Sequence, residues 1–156
     1  MPIIRPDTVK TEQIDETDNP CGPVTAQLFS DSGALTQFGA FVEILPPGSR
    51  SSVKHWHQNE DEMVYLLAGE VLLHEGDTTT NLRAGEAATF KAGVPVGHCL
   101  ENVSEKDARY LVIGTRSDAD TVTYPDHDRV LKFTRNPESR SWFDQAGNKA
   151  SSPYAT

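Results

Sequence analysis

The 156-residue chain is predicted to be all-β, a sandwich or barrel, on three observations. Strand-length apolar segments recur about every 8 to 12 residues. Turn residues (Gly, Pro, Asp and Asn) separate them. No stretch keeps a 3.6-residue apolar period long enough to make a confident helix.

Residues 1–24 are polar and broken by Pro2, Pro6, Pro20 and Pro23, so an extended N-terminal arm is expected. The segment 35–45 is an apolar run ended by Pro46-Pro47-Gly48. Segment 53–57 is short and rich in aromatic and β-branched residues, which favour strands. Segments 63–67 and 71–74 flank Gly69, and Glu75-Gly76-Asp77 closes the second. Segment 78–82 carries three threonines, and 86–90, 97–100 and 109–115 complete the series. After Arg116 the chain turns polar, with Tyr124-Pro125-Asp126-His127-Asp128 ahead of Val130-Leu131-Lys132-Phe133. From Asn136 on, Ser, Pro, Gly and Asn predict a loose tail. The expected organisation is an arm over 1–24, one barrel over 25–135 and a polar tail over 136–156.

Composition narrows the partners. Hydrophobic residues make up 37% and the formal net charge is −9, with no basic cluster. Such a surface repels phosphate backbones and anionic membranes, so a small molecule or another protein is the expected partner. No apolar run approaches the roughly 20 residues that span a bilayer. Met1-Pro2-Ile3-Ile4-Arg5-Pro6 lacks a secretory apolar core, so a cytoplasmic location is expected. Cys21 and Cys99 are too few for a disulfide framework and are expected to be structural.

The histidines carry the chemistry. His55 and His57 are two apart in an expected strand, so both imidazoles leave one face and Trp56 leaves the other. Glu62 opens the next strand across a short turn, where a third ligand could reach the same ion. His98 lies far along the chain and joins them only if the sheet closes. Imidazoles with a carboxylate suit Fe, Mn, Ni, Cu or Zn as divalent ions. His74 precedes a turn and is expected at the surface. For the segment around His127, a packing strap is expected ahead of a lid.

Gly48…His55-Trp56-His57…Glu62…Gly69 resembles the first motif of the cupins, G-x5-H-x-H-x3–4-E-x6-G. Gly85…Gly93…His98-Cys99-Leu100-Glu101-Asn102 resembles the second, G-x5-P-x-G-x2-H-x3-N. There is one extra residue between Gly48 and His55. Lys91 stands where the second motif has Pro, and four residues rather than two separate Gly93 from His98. The resemblance spans about residues 35–115. It implies a single antiparallel double-sheet β-barrel of jelly-roll type, a homodimer, and one divalent metal ion on His55, His57, Glu62 and His98. Of the consecutive acids Glu60, Asp61 and Glu62, only Glu62 fits both motif spacings. Glu60 and Asp61 then read as solvated turn residues.

Strand alternation puts Val53, Val64, Leu66, Val96 and Leu100 on the faces of the four ligands. The expected lining is mainly apolar, which favours oxygen chemistry at the metal over a multi-base mechanism such as sugar isomerisation. A metal-dependent dioxygenase or related oxidoreductase acting on a small organic substrate is the first functional expectation. The alternative is a non-catalytic module in which the metal helps bind or sense a sugar or metabolite. Tyr110 and Arg116 are candidate orienting groups, each more simply read as an ordinary barrel residue. No nucleophile elbow or phosphate loop is present.

Overall fold

The computed structural model describes residues 3–15 and 19–155. Its strands are β1 (Lys10–Ile14), β2 (Val24–Leu28), β3 (Phe38–Leu45), β4 (Trp56–His57), β5 (Glu62–Ala68), β6 (Glu70–Glu75) and β7 (Thr78–Arg83). The series continues with β8 (Ala87–Phe90), β9 (His98–Glu101), β10 (Ala108–Thr115), β11 (Ala119–Tyr124), β12 (Arg129–Arg135) and β13 (Glu138–Phe143). One helical turn, α1 (Phe29–Ser32), and a 3-10 turn at Pro125–His127 are the helical pieces among the described residues.

All pairings are antiparallel. A six-stranded sheet runs β1-β2-β3-β10-β5-β8. The remaining strands form a four-stranded sheet, β13-β12-β11-β4, and a three-stranded one, β7-β6-β9. A two-way backbone bridge between His55 and His98, with N···O distances of 3.2 and 3.0 Å, stitches these two together. The double-sheet all-β expectation is met.

The main core lies between the six-stranded sheet and β6, β7 and β9. Leu45, Val64, Leu66, Tyr110 and Val112 from one side meet Val71, Leu82 and Leu100 from the other. A second apolar cluster, Cys21, Val53, Val122, Tyr124 and Leu131, backs the four-stranded sheet, with Phe133, Trp142 and Tyr154 against it. Alternation explains the strand choices: along β11 Asp120, Val122 and Tyr124 are buried, and their neighbours are less so. Gly69 joins β5 to β6 at φ +80°, and a Cβ there would sit 3.1 Å from the Ala108 backbone. The tight reversal needs glycine.

Both ends of the chain hold more order than the sequence suggested. β1 pairs with β2 over five residues inside the stretch read as an arm. Its residues are all exposed, which hid it from a reading based on apolar pattern. β13 pairs with β12 inside the stretch read as a loose tail, again with four exposed polar residues leading Trp142 and Phe143. Further on, the Tyr154 hydroxyl accepts a hydrogen bond from the Val53 backbone N–H at 3.2 Å. Residues 1–2 and 16–18 of the arm and residue 156 of the tail lie outside the described residues. No helix among the described residues is long and apolar enough to cross a membrane.

Candidate metal centre

The fold brings the four sequence-named residues to one place. His55 sits at the bridge to β9, His57 ends β4, Glu62 opens β5 and His98 opens β9. The His55 ring centroid lies 5.0 Å from that of His98 and 5.2 Å from that of His57. Ligand atoms of His55, Glu62 and His98 all fall within 4.8 Å of one another. His57 stands beside that group but belongs to a second cluster of the same tightness, with Glu60 and Asp120.

Each ring is held by a different device. His55 Nδ1 is 2.9 Å from the Val53 carbonyl, which fixes that nitrogen as the donor and leaves Nε2 as a lone-pair ligand. His57 Nδ1 lies 2.7 Å from Asp120 Oδ2, leaving its Nε2 free in the same way. His98 stacks on Phe90, centroids 3.5 Å apart and planes 4° from parallel. Neither ring nitrogen of His98 has a hydrogen-bond partner, although the residue is only 4% exposed. Glu62 Oε1 approaches its Nε2 at 3.5 Å, too loosely to satisfy it. An imidazole with both nitrogens unpartnered in a protein interior is costly, and a bound cation removes that cost.

The electrostatics suit a metal. Burial lowers the His55 pKa to about 4, against the opposing pull of Glu62, so the ring is neutral near pH 7. Burial works to raise Glu62, but the approach of His98, then His55 and His57, outweighs it and keeps the carboxylate ionised. Neutral imidazoles and an ionised carboxylate are the forms that bind a divalent ion.

Three spaces meet at these residues. An interior cavity of about 150 Å³ is lined by His55, Glu62 and His98 together with Glu43, Tyr110 and Phe41. A second, of about 170 Å³, opens between His57, Trp56 and the 91–96 loop. An open cleft of about 900 Å³ starts at His55 and His57 and runs past Tyr124 to Arg116, Arg135 and Arg140.

The lining corrects the sequence expectation. Val64 and Leu100 do face the interior cavity. Val53 packs into the second apolar cluster, Leu66 is sealed in the main core, and Val96 is on the rim, 37% exposed. Polar groups replace them: Glu43, Tyr110, Ser51 and Ser52. Trp56 is half-buried on the wall of the second cavity. Glu60 is not a solvated turn residue. It is 9% exposed and accepts from the Ser117 N–H and hydroxyl and from Arg135 at 2.6 Å. Asp61 is exposed, as expected.

Asp120 was not singled out in the sequence. Its alternation with Val122 and Tyr124 was the available signal, since an acid on a buried face needs a donor. The other expectations sit simply. His74 is half-buried and 2.6 Å from Glu101, Cys21 and Cys99 are buried and unpaired, and the 3-10 turn carrying His127 is exposed.

Known proteins place this barrel. A family model described as the cupin domain matches residues 41–114. The oxalate-binding protein of Thermotoga maritima is 27% identical over 113 residues, which is 71% of this chain and 91% of that protein. A sugar phosphate isomerase of the cupin superfamily from Silicibacter pomeroyi superposes with a TM-score of 0.86 at 26% identity. The match covers 97% of this chain and 98% of that one. A second protein, proposed to be a sugar phosphate isomerase, from Acidithiobacillus ferrooxidans, gives a TM-score of 0.81 at 25% identity, covering 94% and 92%. With His55, Glu62 and His98 from the two motifs lining one cavity of a double-sheet barrel, residues 41–114 form a cupin domain.

Proposed function

We propose that His55, His57, Glu62 and His98 hold one divalent metal ion, and that the protein acts on a small, oxygen-rich anionic substrate by shifting a proton. The observation that carries this reading is the convergence of three imidazoles and a carboxylate around His98, whose buried nitrogens have no other partner. When bound, the ion supplies Lewis acidity at a substrate oxygen. The chain's own residues do the rest. Val53 and Asp120 set the ring orientations of His55 and His57, and Phe90 holds the plane of His98. The cleft arginines suit an anionic group on the substrate.

Two relatives are named for small oxygen-rich anions, oxalate in one case and sugar phosphates in the other. The likeness to the sugar phosphate isomerase extends over nearly the whole chain, which favours isomerase-type chemistry. The dioxygenase expectation leaned on an apolar lining, and Glu43, Tyr110 and the serines in the cavity wall give it less support.

The test begins with elemental mass spectrometry of purified wild type and His98→Ala. Metal close to one ion per chain in the first and lost in the second is expected. Metal-loaded protein is then incubated with a panel of aldose and ketose phosphates in D2O, with dioxygen uptake followed in parallel. Deuterium entering a carbon next to the carbonyl supports the proposal. Oxygen consumption would transfer the site to oxidation, and ligand binding without turnover to sensing. Absence of metal after anaerobic reconstitution would end the metal reading.

A further inference from the structure

We infer that Glu43 is the proton carrier of the interior cavity, acting on a molecule held between it and the histidines. The inference rests on the metal reading above but adds a residue and a pocket to it.

Glu43 lies on β3, directly across from Tyr110 on β10, so both side chains leave the same face of the six-stranded sheet. The Tyr110 hydroxyl donates to Glu43 Oε2 at 2.5 Å. Tyr110 is fully buried. Among the described residues no Lys, Arg or His comes within 4.0 Å of the Glu43 carboxylate, in contrast to Glu60, which has Arg135. A carboxyl group without a cation inside a barrel is a destabilising choice, and an apolar residue would pack more favourably there. Its neighbours on the cavity wall, Phe41, Val64 and Val112, show what such packing looks like. In the metal-free protein burial raises the Glu43 pKa to about 7, with the Tyr110 hydrogen bond opposing the rise and the Glu62 carboxylate adding to it. A carboxyl group poised near neutrality can both take and return a proton.

Cavity size sets the ligand. About 150 Å³ is room for a molecule of roughly benzene size. The cavity wall carries His55, His98 and Glu62 together with Glu43 and Tyr110, so it fits a short hydroxy-carbonyl fragment reaching from the histidines to Glu43. A larger substrate would leave its charged end in the arginine-lined cleft. The proton account closes without any co-reactant. The C–H bond beside the carbonyl breaks, its proton goes to Glu43, and the electron pair forms the C=C bond of an enediolate. One proton passes between the two oxygens. Glu43 then returns its proton to the neighbouring carbon as the new carbonyl forms.

The probe is acetohydroxamate, a small chelator that loses a proton when it binds a metal. Zinc-loaded wild type and Glu43→Gln are titrated at mildly alkaline pH by calorimetry in two buffers of different protonation enthalpy. Wild type should bind with about zero net proton release, because Glu43 takes the proton. Glu43→Gln should release about one proton per ligand to the buffer. Equal release from both proteins would overturn the role of Glu43 and leave the metal site standing. Retained zinc with no hydroxamate binding would do the same. Failure to retain zinc would remove the metal reading and this one together. If Glu43→Gln does not fold, Glu43→Met takes its place with the same expectation. Tyr110→Phe should still bind without proton release, and release there would also overturn the proposal.

Discussion

Asp120 Oδ2 and His57 Nδ1 lie 2.7 Å apart although the residues are 63 positions apart in sequence. The Asp120 side chain is fully buried, and its other oxygen accepts from the Asn59 and Thr121 backbone N–H groups. Strand pairing explains the contact: β4 meets β11 with His57 opposite Val122. A carboxylate so fixed dictates which nitrogen of His57 faces the cavity.

Replacing Asp120 by Asn should therefore weaken metal binding by roughly 10- to 100-fold, the usual loss when such an orienting partner is removed. Competition for zinc against a chromophoric chelator measures this. An unchanged affinity would show that His57 is oriented by packing alone.

The Glu43 carboxyl makes stability depend on pH in the metal-free protein. Its pKa rises from 4.5 unfolded to about 7 folded, so its contribution is fully present below 4.5 and is lost as pH climbs through 7. His55 has the opposite sign: its pKa falls from 6.5 to about 4, so stability is lost as pH falls through that window. Glu43→Gln should accordingly be more stable than wild type near pH 8, by an order of 2 kcal/mol, with the gain gone near pH 4. Thermal unfolding across pH decides it. A gain that persists in acid would point to packing instead.

Asn102 matches the last residue of the second motif, yet its work is structural. It is completely buried, donates to the Leu45 and Lys106 carbonyls at 2.7 Å each, and accepts from the Ser104 N–H and hydroxyl. Asn102→Ala strands those groups and should cost about 2 to 4 kcal/mol. Denaturant unfolding measures the loss, and metal content per folded chain should stay as in wild type.

Arg135 holds Glu60 at 2.6 Å, with the arginine side chain 39% exposed and the glutamate 11%. Arg135→Ala leaves a buried carboxylate with only the Ser117 donors. A fully buried pair would cost 3 kcal/mol or more to break, so solvent around this one brings the expected loss to about 1 to 2 kcal/mol. Adding Glu60→Gln should restore part of it, and a double-mutant cycle in urea tests the coupling.

The sequence made the barrel legible because period-two apolar runs and turn residues are local signals. His55 and His57 were legible for the same reason, sharing a face two residues apart. Glu43 and Asp120 were harder to see because each depends on which strand pairs with which: Tyr110 stands opposite Glu43, and β11 lies beside β4. β1 escaped notice because its five residues are solvated and bury nothing. Glu60 looked like a surface turn because its partner, Arg135, is 75 residues away.

The hydrogen bond from Val53 to Tyr154 joins residues 101 apart, one of them two positions before His55. Translation adds about 5 to 20 residues per second, so the strand bearing His55 and His57 is made roughly 5 to 20 seconds before the residue that fastens it. During that interval the nascent chain lacks this one tie beside His55. The tie between Val53 and Tyr154 is thus a late one, made only after residue 154 has left the ribosome.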